Sequence, residues 1–393
     1  MNKRIIGIIL FVVLIIIIIC IGFFNGKEDG IIKKNLTTVY VATGGGKEDF
    51  ISDPDIIKIM QKKYKLDVVY DNWSNGKTVK LPLVREAIGL GNKKLDPNTV
   101  TISTEGATVY DALFTSDQRF YDYYKLQPNK EAGEADRLTV LDGGLVLYTP
   151  IVLYSWKDVA NKLIEQKIVT KGEDNIYYVT DMTKLINMIL DGKTWKDIGL
   201  NELFGNINIA STDPVTSSPG ATYYGLLLSI LSNGNINDQN INTNLDKLKV
   251  FYKKSGYMNN TPADLFERYL KTGVGGEAII VDYEKSLIEF AISNPNGYEQ
   301  VKNEMIILYP KPTMWNTHCF AVFSDKGKKL YKALQDEEIQ KIAWEKYGYR
   351  TGFTGSDYSA EKLGVNVPKT LTSTVTTLKY DYYNQLIAKL SEK

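Results

Sequence analysis

Beyond residue 37 the apolar positions of this chain alternate between two rhythms, the period of two of a strand and the three-to-four spacing of a helix. Thr38 to Ala42 is a β-rich run that ends at Thr43-Gly44-Gly45-Gly46. A helical pattern follows over Pro54 to Tyr64, with Asp53 as N-cap and Ile56, Ile57, Met60 and Tyr64 on one face. Leu66 to Tyr70 predicts a strand, Leu83 to Gly89 a helix, Val100 to Ser103 a strand and Val109 to Tyr124 a helix. Strand, glycine loop, helix, strand is the sign of βαβ units and a parallel sheet, so the predicted class is α/β.

From Leu138 to Trp156 the chain is almost all β-type, broken by Asp142-Gly143-Gly144 and Thr149-Pro150. Such a run fits a strand that leaves one sheet and enters another. Helices are predicted at Lys157 to Gln166, Met182 to Leu190 and, after Thr194-Trp195, Asp197 to Leu203. Ile207 to Ala210 reads as a strand and Tyr223 to Leu231 as a helix, and the Asn-rich Asn233 to Asn244 reads as a loop. Ala278 to Val281 is a further strand. Met305 to Tyr309 and Cys319 to Phe323 flank Pro310-Lys311-Pro312 and predict a return crossing. Helices follow at Lys326 to Ala333, Asp336 to Tyr347 and Tyr380 to Leu390, and no repeat or coiled-coil heptad is present.

The N-terminus breaks both rhythms. Lys3 and Arg4 precede an uncharged apolar stretch, Ile5 to Phe24, whose 20 residues at helical rise match the bilayer core. The basic pair keeps that end in the cytoplasm, which places the rest outside on a single-pass membrane anchor. A cleaved signal peptide is the alternative, and Cys20-Ile21-Gly22 is a poor version of its small-residue cut site. Ile17-Ile18-Ile19 before Cys20 argues against a lipoprotein. The only other cysteine is Cys319, so the exterior part has no internal disulfide. Without Lys3 and Arg4, the 47 basic and 46 acidic residues nearly cancel, and no basic block suggests nucleic acid.

Candidate chemistry concentrates in Thr212 to Thr222, where hydroxyls and a glycine separate the strand-like run from the helix. A helix start of that composition can grip an anion, because its first N–H groups lack internal partners and its dipole favours negative charge. The same stretch also reads as an ordinary strand–helix connection capped by Ser or Thr. His318 is the only histidine and reads as structural, since adjacent strand residues such as His318 and Cys319 point to opposite faces. No CxxC, HExxH or GxxxxGK[ST] pattern occurs, so no metal, cofactor or nucleotide is predicted, and no activated nucleophile points to an enzyme.

Three colinear stretches give the chain a family likeness. They are Thr194-Trp195-Lys196-Asp197-Ile198-Gly199 with Ile209 to Gly220; Glu277 to Glu284; and Tyr309-Pro310, His318 to Phe323, Gln340 and Gly348-Tyr349-Arg350. Together they resemble the type 2 extracellular solute-binding proteins of ABC importers, in particular the molybdate, sulfate and phosphate binders. The resemblance covers Thr38 to Thr351. Thr43-Gly44-Gly45-Gly46-Lys47-Glu48 departs from the family's Ser-rich first loop, although three glycines can still present an anion nest and Lys47 can add charge. The tail from Gly352 has no counterpart.

The resemblance implies a two-lobed periplasmic-binding-protein fold with two crossings near Tyr148 to Leu153 and Tyr309 to Thr317. The corresponding division is an anchor at 1–26, a linker at 27–37, lobe 1 at 38–150, lobe 2 at 151–312, and a return to lobe 1 with C-terminal helices at 313–393. It also implies a ligand cleft walled by Thr43, Gly44 and Gly45, by Thr104 and Glu105 at a second strand end, and by Ser217, Ser218 and Gly220 opposite, with Tyr283 as a hydroxyl donor. The first two walls read equally as a tight turn and a capping box. The implied function is capture of a small solute, an oxyanion first, for an ABC permease. A ligand sensor or scaffold docking on a different membrane partner is the alternative.

Overall fold

The computed structural model describes residues 35–73, 110–126, 140–352 and 360–392. The apolar segment Ile5 to Phe24, the predicted elements at Leu83 to Gly89 and Val100 to Ser103, and Thr104 and Glu105 lie outside these residues. Among the described residues no helix is long and apolar enough to cross a membrane.

Among the described residues eleven strands form one mixed sheet. They are β1 (Thr37–Gly44), β2 (Leu66–Trp73), β3 (Ala112–Phe114), β4 (Asp142–Trp156), β5 (Val169–Lys171), β6 (Tyr177–Val179), β7 (Ile279–Tyr283), β8 (Met305–Pro310), β9 (Thr313–Val322), β10 (Arg350–Thr351) and β11 (Thr374–Val375). The main path runs β2-β1-β3-β9-β4-β8-β6-β5. β4 divides it. Its first part, Asp142 to Pro150, pairs antiparallel with β9, and its second part, from Ile151, pairs with β7 and β8. The chain therefore crosses at Pro150–Ile151 and returns through Lys311-Pro312 between β8 and β9. Both crossings fall where the two proline-broken β runs of the sequence end. Only β1, β2 and β3 form the expected parallel run, and the other pairings are largely antiparallel.

Helices cover both halves of the sheet: α1 (Glu48–Ile51), α2 (Pro54–Tyr64), α3 (Gln118–Leu126), α4 (Lys157–Glu165) and α5 (Met182–Leu190) come first. They are followed by α6 (Ser218–Leu231), α7 (Ile241–Lys254), α8 (Pro262–Gly276, kinked at Gly273), α9 (Glu284–Ser293) and α10 (Pro295–Val301). The last three are α11 (Asp325–Leu334), α12 (Glu337–Tyr347) and α13 (Tyr380–Ser391). Asp53 caps α2 as expected, accepting from the Asp55 and Ile56 amides at 2.8 and 3.3 Å. Ile56 and Met60 are buried beneath α2, whereas Ile57 faces outward. α6 is apolar on every side and correspondingly buried on every side.

Several predicted elements are corrected. Val109 to Tyr124 is not one helix: Ala112–Phe114 is a strand between β1 and β9, and the helix begins at Gln118. A three-residue buried run cannot be told from helix by its period. Asp197 to Leu203 shortens to a 3-10 turn, Lys196–Ile198, ended by Gly199 at φ 88°. Ile207 to Ala210 forms no ladder, only a bridge from Ala210 to Ile280. α7 takes over the end of the Asn-rich loop, and α8 was not foreseen.

Residues after 360 run back across both halves. Arg350 (β10) makes a two-toothed ion pair with the buried Glu284 of α9 at 2.7 and 2.8 Å, and donates to the Pro368 and Lys369 carbonyls. β11 then pairs with β9 at Thr313 and Met314. In α13, Leu386 and Leu390 enter the core packed on α6 and α7, while Tyr383 lies against Phe120 and under the Arg119 guanidinium of α3.

Candidate functional site

The loop after β1, the start of α6 and the junction of β7 with α9 meet around one cavity of about 940 Å³. Gly45, Gly46 and Ser116 line one side, Ser217 and Ser218 another, and Tyr283 a third. The first side is held by short bonds: Ser116 Oγ donates to the Gly45 carbonyl (3.0 Å) and Tyr349 Oη to the Gly46 carbonyl (2.6 Å). On the opposite side Ser217 sits at the N-cap of α6, yet its hydroxyl makes no capping bond.

Lys47 folds beneath this floor. Its side chain is 1 % exposed, and Nζ lies 2.9 Å from Ser116 Oγ, 3.4 Å from the Gly45 carbonyl and 3.4 Å from His318 Nδ1. Among the described residues no carboxylate lies within ion-pair distance of it. Burial pushes the Lys47 pKa down to about 7; Glu48 opposes the shift and Lys285 adds to it. Burial also lowers the His318 pKa, with Lys47 and Lys285 contributing. Asn316 Nδ2 is 3.3 Å from His318 Nε2. An amide donor at Nε2 leaves the ring proton on Nδ1, where it points at Lys47 Nζ. Only a neutral amine can accept it while donating to Ser116 Oγ and the Gly45 carbonyl. With these three partners Lys47 is held as a neutral amine.

Lys285 also lines the cavity, bonded to Glu289 at 2.7 Å and resting over the Tyr349 ring. Burial works against its charge, but the Tyr349 hydroxyl and the Glu289 carboxylate outweigh it and hold the ammonium above its usual range. Asp282, at the end of β7, is 1 % exposed; Oδ1 accepts the Tyr283 amide at 2.7 Å and Oδ2 has no hydrogen-bond partner. Burial pushes its pKa up to about 7, against the pull of the Tyr283 amide, the Ser286 hydroxyl and the Lys285 charge.

Of the residues expected at the cleft, Gly45, Ser217, Ser218 and Tyr283 line it. Thr43 is buried within β1. Gly44 packs on Ser116, whose Oγ a Cβ would overlap. Gly220 also serves packing: its amide donates to Thr212 Oγ1 at 3.0 Å, and a Cβ would overlap the Thr212 carbonyl. Gly220→Ala is therefore expected to cost about 1–3 kcal/mol in a denaturant melt. A cost under about 0.5 kcal/mol would show that this turn yields freely.

Ser116, Lys285 and Asn316 carried no sequence signal, because each acts through partners far away in the chain. His318 lines the cavity, and Cys319, next to it, faces the core with its thiol pushed up to about 12 by burial. The expected opposition of the two side chains is what the strand shows. Among the described residues no group of His, Cys, Asp and Glu side chains could hold a metal ion.

No protein family and no curated protein matches the sequence. Solved structures do match the fold. Apo ferric ion-binding protein A of Pasteurella haemolytica is 13% identical, with 90% of this chain and 96% of that one covered and a TM-score of 0.55. The sulfate-binding protein SubI of Mycobacterium tuberculosis is 10% identical, covering 91% and 100%, at 0.51. The substrate-binding protein of an ABC transporter from Agrobacterium tumefaciens is 13% identical, covering 91% and 94%, at 0.51. The chain has the periplasmic-binding-protein-like fold of extracellular solute-binding proteins.

Proposed function

We propose that this chain captures a small anionic solute between two lobes and delivers it to an ABC permease, its soluble part held outside the cell by the Ile5 to Phe24 anchor. The observation that carries the reading is Lys47: a buried amine with no carboxylate partner among the described residues, beneath a floor of Gly45, Gly46 and Ser116 that faces the start of α6. A buried cation without a counter-ion is costly, and a site that brings the anion from outside resolves that cost. The wall opposite supplies serine hydroxyls and a helix N-terminus, which suit negative charge. The two crossings at Pro150–Ile151 and Lys311-Pro312 are the natural hinge for closure over the ligand. A binder needs no more chemistry than this, and we read the chain as no enzyme.

The test is a thermal-shift and calorimetry panel of phosphate, sulfate, molybdate and simple organic phosphates. A ligand at a thousand times its Kd is expected to add about 4 kcal/mol of stability. If sugars or neutral amino acids stabilise and every anion is silent, the reading fails.

A further inference from the structure

The cleft carries more negative charge than an anion trap requires. Among the described residues, Glu48, Asp49, Glu267, Asp282 and Glu289 line it against one basic lining residue, Lys285, with Lys47 below. Glu289 is committed to Lys285 at 2.7 Å and Glu267 to Lys271 at 2.6 Å. Glu267, Asp282 and Glu289 come from α8 and the β7–α9 junction, elements other than the glycine loop and the start of α6. Asp282 at the end of β7 and Ser286, Glu289 and Ser293 at helical spacing along α9 all line the cavity. Asp282 is the telling member: a fully buried carboxyl at the cavity whose Oδ2 has no hydrogen bond of good geometry among the described residues, with only the Ser286 hydroxyl nearby. The volume agrees. A water-sized solute takes about 30 Å³, so a lone tetrahedral oxyanion would leave most of the 940 Å³ unfilled.

Resting on the anion reading above, we infer that the ligand is a zwitterion: an organic anion whose phosphate-, sulfonate- or carboxylate-type head sits at the Lys47, Ser116, Ser217 and Ser218 end, and whose amine lies toward Asp282 and the acidic rim. The amine gives Asp282 Oδ2 the donor it lacks. It also offsets the field of the rim, which repels a bare oxyanion. Phe266 and Phe290, which pack on each other and line the cavity, cover a short apolar linker between the two charges.

Calorimetry on the full chain with four probes tests this: inorganic phosphate, ethyl phosphate, 2-aminoethyl phosphate and ethylamine. The expected result is 2-aminoethyl phosphate bound at least about tenfold more tightly than ethyl phosphate. Asp282→Asn should reduce that preference to about threefold or less and leave ethyl phosphate binding in place. Because Asp282 is buried, Glu267→Gln on the exposed rim is the second variant, expected to reduce the preference by a smaller factor without touching the core. Equal binding of ethyl and 2-aminoethyl phosphate overturns the zwitterion and leaves the anion reading standing. Binding of ethylamine with no phosphate ester overturns the anion reading itself, and silence of all four probes overturns both.

Discussion

Lys47→Met is expected to erase anion binding and at the same time stabilise the empty protein. An amine buried without a carboxylate is held at a cost, and a hydrophobic side chain of similar length removes that cost. The melting temperature of the ligand-free variant should rise by about 2 °C or more, while the shift produced by the wild-type ligand disappears. The pH profile gives the same residue a second signature. The Lys47 pKa is lowered from 10.5 to about 7 in the fold, so between those values the unfolded chain holds a proton that the native chain lacks. Stability from this group therefore rises with pH from about 7 to 10.5. Anion binding needs the charged form and takes up a proton above about 7, so affinity should fall by up to about tenfold per pH unit there. Asp282, raised to about 7, becomes a carboxylate over the same range and weakens anion binding in the same direction. Calorimetry in buffers of different ionisation enthalpy measures the proton directly. A pH-independent affinity, or a variant that still binds, would remove Lys47 from the site.

Glu284→Gln is the second large effect, and it acts on the frame instead of the ligand. Glu284 is wholly buried and receives two bonds from Arg350 and one from Tyr309 Oη at 2.7 Å. Removing its charge leaves the guanidinium uncompensated at the joint between α9, β10 and the returning tail. The expected loss is about 3–5 kcal/mol, read as a drop in denaturant midpoint at unchanged slope. Adding Arg350→Met should recover more than half of it, because the orphaned charge goes with the arginine. If Glu284→Gln alone costs less than about 1 kcal/mol, the joint is not held by this pair.

The frame was largely legible in the sequence, since long periodic runs bounded by proline, glycine or capping residues declare themselves locally. β4, α2, α11 and α12 were read within a few residues of their observed ends. The misses have physical causes. Ala112–Phe114 is a strand only because β1 and β9 flank it, and Ile207 to Ala210 fails to pair because β7 receives it at one bridge. Of the expected cleft residues, Gly45, Ser217, Ser218 and Tyr283 line the cavity, each at a strand end or helix start that the local pattern marks. Ser116 and His318, the partners of Lys47, lie 69 and 271 residues from it, a separation no local pattern reveals. The expectations at Thr43, Gly44 and Gly220 fell one position too deep, at residues that hold the walls in place.

The returning tail has a practical consequence. α13 rests on α3 of one half through Tyr383 and on α6 and α7 of the other through Leu386 and Leu390. Any change in angle between the halves must be felt along it. Asn384, beside Tyr383, is exposed, and the thiol of Cys319 is buried and weakly acidic. In a chain trimmed of its first 26 residues, a cysteine introduced at position 384 would take a fluorescent dye selectively. Such a conjugate would turn solute capture into an optical signal without altering a single cleft residue.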